Sequence, residues 1–276
     1  MSEFRADLHC HTTASDGTLN PQEIIEEAIR CGLKGLSITD HDTIEAYHEA
    51  APAAMEMGIE LIPGVEFSTE YMGSNVHVLA YSFNTRHPSI IKLCEYHKER
   101  RVKRFFKMLE KLQEKGVHLK ETDFDLNDGS IGRPHLAKSM IAGGYVRSVP
   151  EAFKKYLGDD QPCYVNPETI STEETIKIIH EANAYAVIAH PHLINNQNTL
   201  LGILELPFDG IEAYYARFSP SQEKRWVKIG EYRGWLITGG SDFHGNTKPN
   251  LPLGCSWVRS ESFNQLKQRY QENLID

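Results

Sequence analysis

Arg5-Ala-Asp7-Leu-His9-Cys-His11 starts as a short apolar run and ends in two histidines one residue apart, beside a carboxylate. In an extended segment the side-chain period is two, so His9 and His11 project to the same face. Two imidazoles on one face next to an acid can bind a divalent transition metal. A single His-x-His is a weak signal, and its weight depends on what the rest of the chain repeats.

Working outward, an apolar run followed by polar, metal-type residues recurs along the sequence. Ser15-Asp16-Gly17 follows the first run, and the second run ends in Thr39-Asp40-His41-Asp42. A third ends in Gly64-Val-Glu66, and a fourth holds His77 between Val76 and Val78. Ala189-His190-Pro191-His192 and Ser241-Asp242-Phe243-His244 come later. Each has an ordinary reading. Thr39-Asp40 can cap a helix, Glu66 can pair with a surface lysine, His77 can be a hydrogen-bonded core histidine, and the last two can be turns. Their common placement at strand ends is hard to explain by chance, and groups at the C-terminal ends of parallel barrel strands converge on one mouth.

The runs at 5–8, 35–39, 60–67, 75–82, 185–189, 210–213 and 235–238 predict seven strands, several apolar enough to be buried on both faces. Helical stretches alternate with them, which favours parallel strands with helices outside. The first helix has clear ends: Asn20 as cap, Pro21 in the first turn, Glu23 three residues after the cap, and Gly32 beyond the last turn. Ser171-Thr-Glu-Glu174 offers a second capping box. Residues 89–165 break the rhythm with a long charged helix over about 89–115 and shorter ones at 133–142 and 149–157. The expected organisation is an α/β domain from 1–88 and 166–276 carrying a small helical insertion at 89–165.

The chain of 276 residues has 29 Lys and Arg against 38 Asp and Glu, a formal net charge of −9. That excludes a surface holding polyanions by bulk charge, so a nucleic-acid substrate has to be recognised in a local pocket. With 40% hydrophobic and 24% charged residues the composition is that of a folded globular protein. No apolar run approaches the roughly 20 residues that span a bilayer. The opening Met1-Ser-Glu-Phe-Arg5 lacks a signal-peptide pattern. Five scattered cysteines without a CxxC pair suit reduced thiols, and the expected location is the cytoplasm.

Taken together, D-L-H-C-H, S-D-G, T-D-H-D, G-V-E, H-V-L, A-H-P-H and G-S-D-F-H resemble the motifs of the PHP (polymerase and histidinol phosphatase) superfamily, over essentially the whole chain. The likeness is strongest to stand-alone bacterial phosphoesterases acting on nucleoside 3′,5′-bisphosphates and on short RNA from the 5′ end. It implies a distorted (β/α)7 barrel, in keeping with the seven runs above. It also implies two or three divalent ions, manganese first and iron or zinc as alternatives. By this resemblance His9, His11, Glu66 and Asp242 hold the first ion. Glu66, bridging, with His77 and His135 holds the second, and Asp16, His41 and His244 the third. Some relatives have His where this chain has Asp16.

A hydroxide shared by two such cations is a strong nucleophile at neutral pH. Arg133 is either a bidentate phosphate clamp or a surface charge at a helix start. His190 is the candidate for protonating the leaving alkoxide or holding phosphate. His192 lies near it as a supporting or substrate-binding residue, and Asp40 is expected to orient a liganding histidine. Glu212 either contacts a ribose or base or is a solvated strand end. Tyr214, Tyr215 and Phe218 either stack on a base or pack a helix. His48, His87, His97, His118 and His180 lie outside the strand ends and are read as ordinary.

The expected activity is metal-dependent hydrolysis of nucleotide phosphate esters, first the 3′-phosphate of a nucleoside 3′,5′-bisphosphate. A 5′→3′ exoribonuclease acting on short 5′-phosphorylated RNA is the alternative within the same chemistry. Two rivals belong to other classes. One is an amidohydrolase-type C–N hydrolase, which also uses His-x-His but typically adds a bridging lysine not seen here. The other is a non-catalytic PHP module, disfavoured because every proposed ligand position is filled. Expected partners are a small nucleotide or short RNA, with no membrane and no extended nucleic-acid groove; the sequence leaves the oligomeric state open.

Overall fold

A computed structural model of the chain describes residues 3–124 and 131–275. Two compact units make it up, one of Met1–Cys94 with Thr169–Asp276 and one of Glu95–Glu168.

The first unit begins with parallel strands β1 (Ala6–Asp7), β2 (Gly35–Leu36) and β3 (Glu60–Leu61), in that order. Helices α1 (Pro21–Arg30) and α2 (Tyr47–Met57) connect them. Asn20 caps α1 as its sequence predicts: its side chain accepts from Gln22 and Glu23 N–H while Glu23 reaches back to Asn20 N–H. Gly32, just past the helix, takes φ +75°.

A second sheet runs β4 (Gly64–Tyr71), β5 (Ser74–Tyr81), β6 (Tyr185–Ile188), β7 (Gly210–Tyr215) and β8 (Leu236–Gly240). Two sequence expectations change here. The run 60–67 is two strands, because Pro63 has no N–H to give a ladder and the chain breaks there. The Tyr47 hydroxyl spans the break: it accepts from Ile38 N–H (3.2 Å) and Gly64 N–H (2.7 Å) and donates to Ile38 O (2.7 Å). β5 is antiparallel to both neighbours. The two-residue turn Met72-Gly73, with φ of 50° and 73°, can only return the chain alongside itself.

Alternation along the strands sorts the side chains. Val76, Val78 and Ala80 of β5 join Val65, Phe67 and Ile188 in a core. That core includes Ile176 and Ile179 of α6 (Thr172–Glu181) and Trp226 of α8 (Pro220–Arg233). The opposite face of β5 carries His77, Leu79 and Tyr81; the latter two pack with Leu8, Val187 and Ala189. Polar residues at the strand ends therefore stand on the face away from α6 and α8.

Backbone bonds also link the two sheets. Beyond β1, Leu8 N–H donates to Gly239 O and His11 N–H to Phe243 O, while Asp242 N–H donates to His9 O. Beyond β2, Asp42 N–H donates to Glu66 O and Glu66 N–H to Asp40 O. The ends of β1 and β2 thus lie against β8 and β4. α7 (Gln197–Leu204) and α9 (Ser260–Glu272) complete this unit.

The second unit contains the later part of α3 (Pro88–Glu114), then α4 (Arg133–Ala142) and α5 (Val149–Ala152). Phe105, Leu109, Leu112, Leu136, Met140 and Leu157 form its own core. Gly116 ends the long helix at φ +79°. Among the described residues no helix is long and apolar enough to cross a membrane.

Candidate metal centre

In the segments that follow β2, β6 and β8, Asp42 (60°), His190 (24°) and Asp242 (51°) take positive φ. Such conformations cost energy for an L-residue and persist only where surrounding contacts hold them. Here they bend the chain beyond β2, β6 and β8. Gly240 allows a close approach of backbones: a Cβ there would lie 2.4 Å from His9 N.

Glu66 is the hub, 1% exposed. Its Oε2 lies 3.2 Å from His9 Nε2, 3.2 Å from His11 Nε2 and 3.3 Å from His41 Nδ1. Its Oε1 lies 2.8 Å from His77 Nδ1 and 2.7 Å from His190 Nε2. Asp242 Oδ1 faces the first pair as well, 3.5 Å from His9 Nε2 and 3.3 Å from His11 Nε2. Asp16, half exposed, approaches His244 Nε2 at 3.2 Å and His11 Nδ1 at 3.6 Å. Among the described residues, three sets have donor atoms mutually within 4.8 Å: His9, His11, Glu66 and Asp242; His41, Glu66 and His77; and His11, Asp16, His41 and His244.

Both ring nitrogens of His11 and Nδ1 of His41 are buried without a hydrogen-bond partner, although carboxylate oxygens lie near. Buried polar atoms are ordinarily satisfied. Nitrogens that converge on carboxylates without bonding them have instead the arrangement of ligands around a shared cation, and the mixed N/O donor set suits a divalent transition ion. The residues fit metal.

Electrostatics agree. Burial alone would raise the Glu66 carboxyl, but His41, His9 and His77 outweigh it and hold the group well below the usual range. Burial opposes charge on His11, yet the adjacent Asp242 and Glu66 carboxylates push it up to about 9. Burial, helped by the charges of His11 and His77, pulls His41 down to about 4.

A further set of residues orients these groups. Asp7, two residues before His9, accepts N–H bonds from His9, Ser241 and Gly254. Tyr215 O–H (2.6 Å) and Lys248 Nζ (2.7 Å) donate to Asp242 Oδ2, leaving Oδ1 for the histidines. Asp40 does not orient a histidine: it accepts from Thr12 N–H and Oγ1 and from Ser15 Oγ, fixing the loop that leads to Asp16. Glu212 is not a solvated strand end: it is fully buried, with Oε1 against His9 Nδ1 (2.8 Å) and Oε2 accepting His190 N–H (2.7 Å). The alternation of β7 faced Glu212 inward, but no sequence signal named its partners.

His190 lies within the cluster, against the same Glu66 oxygen as His77. His192 packs its ring on Phe218 (4.4 Å between centroids) and Tyr215 (4.9 Å), so these aromatics meet protein. His135 and Arg133 belong to the second unit, in the first turn of α4. His135 Nδ1 accepts Gly132 N–H, and Arg133 pairs with Asp159 (2.8 Å) beneath the rings of Phe153 and Tyr164. His48, His87, His97, His118 and His180 join none of the three donor sets. Tyr215 and Lys248 were missed as supports of Asp242, and nothing in the sequence pointed to Lys248.

Histidines and carboxylates gathered at the strand ends of an α/β fold around one shared glutamate define a metal-dependent hydrolase. The PHP domain model matches residues 7–160. The chain is 35% identical over 261 residues to the 5′-3′ exoribonuclease of Haemophilus influenzae, covering 91% of each protein. It is 31% identical over 249 residues to the 3′,5′-nucleoside bisphosphate phosphatase of Chromobacterium violaceum, covering 86% of each. A crystal structure from Bifidobacterium adolescentis, described as a candidate metal-dependent phosphoesterase, superposes with a TM-score of 0.78 at 29% identity, over 96% of both chains. The chain belongs to the PHP family. It is a metal-dependent phosphoesterase, a hydrolase of phosphoester bonds.

Proposed function

We propose that the protein removes the 3′-phosphate from nucleoside 3′,5′-bisphosphates. The observation that carries the chemistry is Glu66, one buried carboxylate whose two oxygens face two separate sets of histidines. Such a carboxylate suits a bridge between ions. His9, His11 and Asp242 would hold an ion on the Oε2 side. On the Oε1 side His77 is joined by His190, whose Nε2 lies 2.7 Å from that oxygen, in the place the family resemblance gave to His135. Asp16, His41 and His244 serve a third position. Divalent ions there, manganese foremost, supply an acidified water and neutralise phosphoryl oxygens.

The chain's own residues do the rest. Lys248 and Tyr215 keep Asp242 turned toward the centre. The 89–165 insertion contributes Arg133, a planar guanidinium suited to gripping the substrate's second phosphate. The end-to-end bonds from β1 to β8 and from β2 to β4 support a closed, distorted seven-strand barrel with β3 outside the ring. A net charge of −9 favours a short substrate, and five free cysteines favour a reducing compartment such as the cytoplasm.

A second reading, cleavage of the first phosphodiester of 5′-phosphorylated RNA, is favoured by the likeness to the H. influenzae exoribonuclease. Both substrates place a 3′-side phosphorus at the metals and a 5′-phosphate at the clamp. The test is phosphate and nucleotide release with manganese across bisphosphates, monophosphates, histidinol phosphate and 5′-phosphorylated oligonucleotides. Fastest turnover of the bisphosphate is expected. Fastest turnover of the oligonucleotide transfers the main function to the second reading, and preference for histidinol phosphate rejects both.

A further inference from the structure

Glu212 is 0% exposed, yet it is a carboxylate, and removing such a group from water costs several kcal/mol. Its neighbours on β7, Ile211 and Ala213, lie in the core that includes α6 and α8, so its side chain projects to the opposite face. There each oxygen serves a different partner. Oε1 lies 2.8 Å from His9 Nδ1, and Oε2 accepts the backbone N–H of His190 at 2.7 Å. His9 belongs to the Oε2 side of Glu66 and His190 to the Oε1 side.

We propose that Glu212 is a positioning residue that couples the two ion sites built on Glu66, and that only a carboxylate at this position lets both fill together. The inference rests on reading the cluster as a metal centre. A proton on His9 Nδ1, donated to Glu212, leaves the Nε2 lone pair free for an ion. The His190 N–H bond holds a residue at φ 24°, a conformation that needs outside support, and so aims Nε2 at Glu66.

Glutamine has nearly the same shape but one acceptor oxygen. With that oxygen toward His9, the amide NH2 opposes His190 N–H, donor against donor, and the turn that aims His190 is released. With the oxygen toward His190, the NH2 donates to His9 Nδ1 and forces the proton onto Nε2, the nitrogen an ion needs. Either orientation spoils one of the two sites. The position therefore keeps a costly buried charge where a neutral side chain of equal size would fill the space.

The experiment compares full-length wild-type and Glu212→Gln protein by elemental analysis after dialysis against manganese and by competition with a chelator. Wild type is expected to hold both ions. The variant should hold about one fewer, with the weaker ion bound roughly 10–100-fold less tightly. In zinc-loaded wild-type protein, ¹⁵N NMR should find the His9 proton on Nδ1, a signature that a merely space-filling role for Glu212 would not set; this measurement decides the matter if the variant does not fold. Glu212→Gln protein that keeps both ions at wild-type affinity, or a wild-type His9 protonated on Nε2, overturns the coupling alone. Wild-type protein that binds no divalent ion overturns the metal reading and the coupling with it.

Discussion

Glu66 has five imidazoles within 3.3 Å of its two oxygens, more donors than one carboxylate accommodates as hydrogen bonds. Cations between them would resolve the crowding, which would make Glu66 the most expensive ligand to remove. Glu66→Ala should therefore lose ions from both sides of the hub, whereas His244→Ala should weaken only the set it shares with Asp16 and His41. Elemental analysis after dialysis reads the difference, and equal loss in the two variants contradicts the bridging role. Strong chelation should abolish hydrolysis by the wild type. At this scale the sequence was most informative where chemistry and spacing coincide: His9 and His11 on one face, Glu66 and Asp242 at strand ends. It was least informative about who holds whom. The link between Glu212 and His9 spans 203 positions, and the support of Asp242 by Lys248 depends on a turn whose path no local pattern reveals.

Elements carry the hub into place, and their joints are testable. Tyr47 sits at the start of α2 but its hydroxyl satisfies backbone groups on both sides of the break at Pro63. Tyr47→Phe keeps the ring and strips two buried N–H groups of their acceptor, an expected cost of about 1–3 kcal/mol, read as a lower urea midpoint with unchanged slope. A second joint ties α6 to the chain between β6 and β7. His180 Nε2 lies 2.8 Å from Asp209 Oδ2, which also accepts Ala186 N–H. The hydrogen bond to Asp209, ahead of the opposing burial and the Asp209 charge, raises the His180 pKa. Protonated histidine is favoured in the folded state, so this stabilisation is complete below the unfolded value of about 6.5 and fades as pH rises through the elevated folded value. His180→Ala should lower stability at pH 5.5 more than at pH 9, by no more than about 1 kcal/mol at so exposed a site. An equal deficit at both pH values would show that the pair contributes no charge. Helix ends such as the Asn20–Glu23 box were legible because their bonds are local, whereas the division of 60–67 depended on Pro63 and the direction of β5 on Met72-Gly73, short signals within otherwise continuous apolar patterning.

For the whole molecule, the decisive question is whether a second phosphate or a long chain supplies the binding energy that orients the reacting phosphoryl group. If Arg133 grips a 5′-phosphate, that distant contact positions the 3′-phosphorus, and its benefit appears in turnover as well as in binding. Removing the 5′-phosphate from a nucleoside 3′,5′-bisphosphate should then depress kcat/KM strongly although the scissile bond is untouched. Arg133→Ala should retain its metals and lose about 1.5–3 kcal/mol of transition-state stabilisation on the doubly phosphorylated substrate, roughly 10–150-fold in kcat/KM. On a substrate lacking the 5′-phosphate the same variant should match the wild type, because the interaction it removes is already missing. Extending an RNA beyond its first few nucleotides should add little, since a chain of net charge −9 has no bulk attraction for a long polyanion. A steep gain with RNA length that collapses as salt rises from 50 to 200 mM would instead reveal phosphate contacts along a strand. That result would make processive RNA the substrate for which the 89–165 insertion is built, and the bisphosphate its shortest member.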